Sequence, residues 1–152
     1  MFTLVPSNFF DPSLERGTLS EVAVLKEEER VSHVVIPQYD AVLIYTEDGG
    51  SGVYPQIHKI LTTLPTIPEY NKILCGIENG VLNLAIAQGK TLLFANSFEA
   101  ADFATAEYFI FSAMHSLQLN PEVSTICFLT PLDTEQEMSL YRYFKSVGQL
   151  CG

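Results

Sequence analysis

The sequence predicts an α/β chain organised around a mixed α+β sheet, and three of its features carry that expectation. Asn79-Gly80 separates two runs of strand-forming residues, and both residues tolerate the positive φ that a two-residue hairpin turn demands. Residues 100–119 place Phe103, Ala106, Ile110, Ala113, Met114 and Leu117 at the helical period. Residues 125–129 form a short apolar run of the kind found in strands buried on both faces.

Taken in order, residues 2–5 read as a short apolar strand stopped by Pro6, after which Ser7 can cap a short helix or turn. Residues 15–29 mix Gly17 with the acidic run Glu27-Glu28-Glu29 and read as a solvated loop with some helix. Residues 31–36 and 41–46 are β-rich and joined by Pro37-Gln38-Tyr39-Asp40, which predicts a hairpin. Residues 47–52 are a Gly-rich turn. Pro55 suits the first turn of a helix reaching about Leu64, with Ile57, Ile60, Leu61 and Leu64 on one face and Pro65 and Pro68 ending it.

Residues 72–78, 81–87 and 91–98 predict an antiparallel meander turned at Asn79-Gly80 and at Gln88-Gly89-Lys90. The helix over 100–119 follows, and Tyr108, Phe109 and Phe111 widen its stripe enough to predict cover on both sides. Asn120-Pro121 ends it. The strand at 125–129 comes next, then a last helix capped by Asp133 or Thr134 and running to about Ser146, with Met138, Tyr141 and Phe144 turned inward. The order βββαβα over residues 72–146 is most of a ribonuclease-H-like unit, in which a right-handed crossover sets the fourth strand beside the first. Residues 71–152 are therefore expected to form that unit, and residues 1–70, with strand, β-hairpin and helix, a smaller part before it.

Size and composition bound the function. The chain has 152 residues, 47% of them hydrophobic, enough to build a substantial core. Eighteen acids against eight bases give a net charge of −10, which repels phosphate backbones and anionic membrane surfaces, so neither nucleic acid nor membrane is an expected partner. Met1 to Pro6 has no basic or long apolar character of a secretory signal, and Asp102, Glu107 and His115 argue for a buried helix over a membrane span at 100–119. Cys75, Cys127 and Cys151 are odd in number and far apart, which suggests neither a disulfide framework nor a zinc knuckle. A reducing, cytoplasmic compartment is the default expectation.

Candidate chemistry is sparse. Gly49-Gly50-Ser51-Gly52 lies between a strand and a helix, where backbone amides can gather round an anion, but it lacks the GxxxxGK[ST] pattern and has Glu47 and Asp48 beside it. A flexible connector is the plainer reading. His33, His58 and His115 fall in three different elements without metal-ligand spacing, and no Ser or Cys sits in a nucleophile elbow. Glu78, Glu99, Asp102 and Glu107 surround the meander and the long helix, as acids do in two-metal nucleases, yet none stands inside the first strand. Asp102 and Glu107 read instead as acids favourable to the helix dipole on a solvated face. Asn96-Ser97-Phe98-Glu99 reads as a turn capping the helix, with a cleft rim as the functional alternative.

The segment Leu92-Leu93-Phe94-Ala95-Asn96-Ser97-Phe98-Glu99, with Asp102-Phe103 and Tyr108-Phe109, resembles an uncharacterised bacterial family of unknown function assigned an actin-like ATPase (ribonuclease-H-like) fold. Leu4-Val5-Pro6, Phe9-Phe10-Asp11-Pro12, Asp40-Ala41-Val42 and Tyr141-Arg142-Tyr143-Phe144 resemble family positions in the same order. The resemblance implies that this chain corresponds to the C-terminal part of longer proteins, lacks the leading β-meander of a first actin-like half, and keeps a remnant or linker part of that half in residues 1–70. Thr130-Pro131 departs from the family, whose members tend to have Gly after the fourth strand. Actin-like ATPases hold phosphates in a DxG[ST]-type loop; the matching turn here, Glu78-Asn79-Gly80, is tight and has no Ser or Thr.

The expectation is thus a non-catalytic actin-like-fold module working by protein–protein interaction, with a protein partner or a homodimer. No catalytic, cofactor-binding or metal residue is assigned, no cofactor is expected and nucleotide is disfavoured. The alternative is a nucleotide-binding, ATPase-like component that needs a missing N-terminal half or a partner; a metal-dependent nuclease is a remote third.

Overall fold

A computed structural model describes residues 1–47 and 53–150. Along the chain these fold as β1 (Phe2–Pro6), α1 (Glu15–Ser20), β2 (Val31–Ile36), β3 (Ala41–Thr46), α2 (Gln56–Thr63), β4 (Asn71–Glu78), β5 (Val81–Gln88), β6 (Thr91–Glu99), α3 (Phe103–Ser116), β7 (Thr125–Phe128), α4 (Thr134–Tyr141) and β8 (Ser146–Gln149). Two sheets result. The first is antiparallel with order β1-β3-β2, and its central strand is buried at every residue. The second has order β6-β5-β4-β7-β8. Its meander β4-β5-β6 is antiparallel, whereas β4 with β7 and β7 with β8 run parallel.

The period of two along the strands decides what each face touches. Ile73 and Cys75 of β4, Leu82, Leu84 and Ile86 of β5, and Ile126 and Phe128 of β7 point to one face, into a core closed by Ala106, Ile110, Ala113 and Met114 of α3 and Leu140 of α4. Their neighbours Leu74, Ala85, Ala87 and Cys127 point to the other face, against Ile57, Ile60 and Leu61 of α2. Ile36, Leu43 and Tyr45 of the first sheet close the far side of α2. The layers therefore run three-stranded sheet, α2, five-stranded sheet, α3 with α4. Each fully buried Ile or Leu contributes about 1.5–3 kcal/mol relative to exposure.

The βββαβα order over residues 72–146 and the parallel placement of the fourth strand beside the first match the sequence reading, with Ile73 opposite Ile126. The Asn79-Gly80 turn is a two-residue reversal with φ of 52° and 74°, closed by the Glu78–Val81 pair.

Four expectations are corrected. The long helix begins at Phe103, not Ala100, because the Asp102 side chain accepts a 2.7 Å bond from the Thr105 amide while the Ala100 amide is tied to the Gly80 carbonyl. Only one side of α3 is covered: Tyr108 is 65% exposed. The last helix ends at Tyr141, with a capping box between Asp133 and Gln136. Leu140 is its buried residue, while Met138 and Tyr141 are 60% and 49% exposed; Phe144 is buried from the turn that follows. That turn leads into β8, a fifth strand missing from the sequence reading, whose Ser-Val-Gly-Gln has almost no strand signal of its own and is held by pairing to β7.

Candidate functional site

The sheet's strand ends create the main cavity. The C-terminal ends of β4 and β7, the first turn of α2, the end of β3 and the start of β1 meet round a cleft of about 720 Å³. Its floor is built by one small residue. Gly76 of β4 has no side chain, and a Cβ there would sit 2.6 Å from the Gln56 amide, so Gln56 folds down over the sheet. Its Oε1 accepts a 2.9 Å bond from Nδ2 of Asn83, which lies opposite Gly76 in the β4–β5 register. Its lining is polar at Glu78, Asn79 and Ser97 and aromatic at Tyr54 and His58, whose rings lie 4.2 Å apart, with the buried Tyr45 behind them edge-on to Tyr54 at 6.2 Å. Thr130 stands at the end of β7, where its hydroxyl accepts a bond from the Ile77 amide.

Burial sets the electrostatics of the cleft and of the sheet beneath it. Burial lowers the pKa of His58, which keeps the imidazole neutral at neutral pH, and among the described residues no carboxylate hydrogen-bonds the ring. A general base needs such an orienting partner. Cys75 and Cys127 are buried in the sheet on opposite faces, and burial pushes both thiols up, away from the nucleophilic thiolate.

The residues singled out in the sequence do not converge. His33 lies on β2, where its Nδ1 is 2.6 Å from Glu15 Oε2 of α1; His58 lines the cleft; His115 is exposed at the last turn of α3. Of the acids, Glu78 and Glu99 flank Val81 in adjacent strands at one sheet end, and Asp102 caps α3. Glu107 accepts from the Ser139 hydroxyl through both oxygens, at 3.0 and 2.9 Å, linking α3 to α4. Among the described residues no three His, Cys, Asp or Glu stand together as a metal site would require. The Gly49–Gly52 loop and Cys151 lie outside the described residues. Asn96 caps nothing: its Oδ1 accepts from the Ser97 amide inside β6, and Ser97 lines the cleft. The sequence reading missed Gln56, Asn83 and Tyr54; Gly76 inside an otherwise apolar strand was the available signal, because such a glycine marks a close approach.

Glu107 yields a prediction. Burial raises its pKa, against the lowering effects of the Ser139 hydrogen bond and of Arg142. A carboxyl whose folded pKa is raised binds its proton more tightly in the folded state, so stability falls as pH rises from the ordinary glutamate range through the folded value, and the deficit persists above it. Glu107→Gln should therefore raise the melting midpoint near neutrality and leave it nearly unchanged below the glutamate range. Thermal unfolding followed by circular dichroism across that pH range checks it.

The model of a protein family of unknown function, DUF3822, matches residues 52–147. No curated protein matches the chain. Among solved structures, the chain is similar to a Bacteroides thetaiotaomicron VPI-5482 protein with an actin-like ATPase fold and unknown function, determined at 1.85 Å resolution, with a TM-score of 0.79 and 16% identity. The similarity covers 98% of this chain and 64% of that one, so the chain spans less than two thirds of that protein. At this identity the likeness establishes the fold, an actin-like, ribonuclease-H-like one.

Proposed function

The chain belongs to the DUF3822 family of unknown function, and from that membership and its fold we propose that it is a non-catalytic actin-like module that works by contact with another protein. One observation carries the reading: among the described residues β6 is the longest strand, it is an edge of the five-stranded sheet, and no strand pairs with its outer side, where the Ser97 amide donates to Asn96 Oδ1. Such an edge is a ready template for another chain. The net charge of −10 supports a protein partner over nucleic acid or an anionic membrane, and the two buried free thiols suit a reducing bacterial cytoplasm. Among the described residues no helix is long and apolar enough to cross a membrane. Residues 1–70 act on this reading as a remnant of a first actin-like half, and residues 71–152 as the ribonuclease-H-like unit.

A second reading rests on the cleft. About 720 Å³ at the strand ends, with an aromatic lining at Tyr54 and His58, would accommodate a nucleotide, which makes an ATPase-like component the alternative. Against it stand the two-residue Asn79-Gly80 turn, which leaves no loop to wrap a triphosphate, and Glu78 beside it. Calorimetric titration with ATP and magnesium separates the two. Absence of binding heat, together with binding of an apolar dye to the folded chain, is the expected result. Micromolar ATP affinity would replace the first reading with the second, and a strict monomer without a dye-accessible patch would remove the first.

A further inference from the structure

The open strand has a self-complementary composition. Thr91–Glu99 carries one charge, Glu99, at its end; Lys90 precedes it and Asp102 follows shortly after. A parallel partner of the same sequence would set like ends together. An antiparallel one sets the Lys90 end of each strand against the Glu99–Asp102 end of the other. The remaining sheet edges are shorter: β8 and β1 have four and five residues, and β2, with six, has its His33 held by Glu15 from α1. Short or covered edges are how folds avoid pairing; β6 has nine residues and no Pro, and its lysine lies outside the strand.

Side-chain parity then fixes the register. Leu93 is the extra residue of a bulge, since Ile86 faces Phe94 and Ala87 faces Leu92, so the regular part of β6 runs from Phe94 to Glu99. Phe94 and Phe98 lie half-buried on the α3 face, stacked with centroids 6.1 Å apart, and Phe98 stacks on Phe109 of α3 at 4.5 Å. Asn96 shares that face and is exposed; its Oδ1 accepts from the Ser97 amide, a bond that pairing with another strand would replace. A two-fold pairing that keeps the α3 faces together must match residues of like parity. Centring it on Asn96 sets Phe94 of each copy opposite Phe98 of the other and joins two stacks into one aromatic layer.

Resting on the protein-contact reading, we propose that the partner at β6 is a second copy of this chain, paired antiparallel about Asn96 to make a continuous ten-stranded sheet, with Phe94 and Phe98 crossing between copies.

Light scattering of the full chain across a concentration series tests this. A dimer is expected. Asn96→Lys, at an exposed position that leaves the core untouched, places two like charges across the two-fold axis and should weaken dimerisation about tenfold or more, with the circular dichroism spectrum unchanged. Mixing Asn96→Lys with Asn96→Glu chains should restore it. A dimer indifferent to Asn96→Lys overturns the proposal and leaves the protein-contact reading in place at another surface. Loss of the dimer in Asn96→Lys without rescue by Asn96→Glu overturns it as local damage. A monomer at every concentration overturns it too, and reaches the wider reading only if apolar dye binding is also absent.

Discussion

Phe128→Ala is expected to cost about 3–5 kcal/mol, the usual price of truncating a fully buried aromatic residue, and that is a large share of the roughly 5–15 kcal/mol that holds a typical domain folded. Phe128 is fully buried at the end of β7, between β4 and β8, where it faces the core closed by α3 and α4 and lies 6.2 Å from the Phe103 ring at the start of α3. Every other buried member of that core comes from residues beyond 72, namely β4, β5, β7, the two helices and their flanks. The cavity would therefore open at the contact between the parallel strand and both helices, and the unfolding transition should move as one. Urea denaturation followed by fluorescence and by circular dichroism checks this: coincident curves with a midpoint lowered without change in slope are expected. Curves that separate would show that the core is not a cooperative unit.

That core was legible in the sequence because its signals are local. Asn79-Gly80 dictates its own turn, and the Thr125–Phe128 run is apolar enough to be a buried strand wherever it lands. Ile57, Ile60 and Leu61 repeat at helical spacing and are all buried. Legibility failed where tertiary structure overrides local preference. Ala100 looks helical but is captured by the Gly80 carbonyl, which leaves Asp102 to start the helix. Tyr141 stands in phase with an inward stripe but reaches the surface because α4 stops there. Strand β8 exists through pairing with β7 and has no pattern of its own. The cleft was the least legible feature. It depends on Gln56 lying over Gly76 and bonding Asn83, three residues that are 20 and 7 positions apart and that only the β4–β5 register and the packing of α2 bring together.

Leu61→Ala should separate the two parts of the chain energetically. Leu61 is fully buried on α2, a helix that touches both sheets through the second core, so its truncation is expected to cost about 2–5 kcal/mol. The loss should not be shared evenly. The face of the five-stranded sheet against α3 and α4 has its own core, whereas the three-stranded sheet turns Ile36, Leu43 and Tyr45 against α2 and has besides it the six-residue α1, whose buried Leu19 lies on the β2–β3 side. Hydrogen exchange on the variant is therefore expected to show protection lost first from β1 to β3 and α2, with β4, β5 and β7 retaining it until global unfolding. That asymmetry would mark residues 1–70 as a part that depends on the ribonuclease-H-like unit for its fold, as expected of the remnant of a larger half. Uniform loss of protection across both sheets would mean instead that α2 binds them into one cooperative body, and that the boundary near residue 70 has no energetic reality.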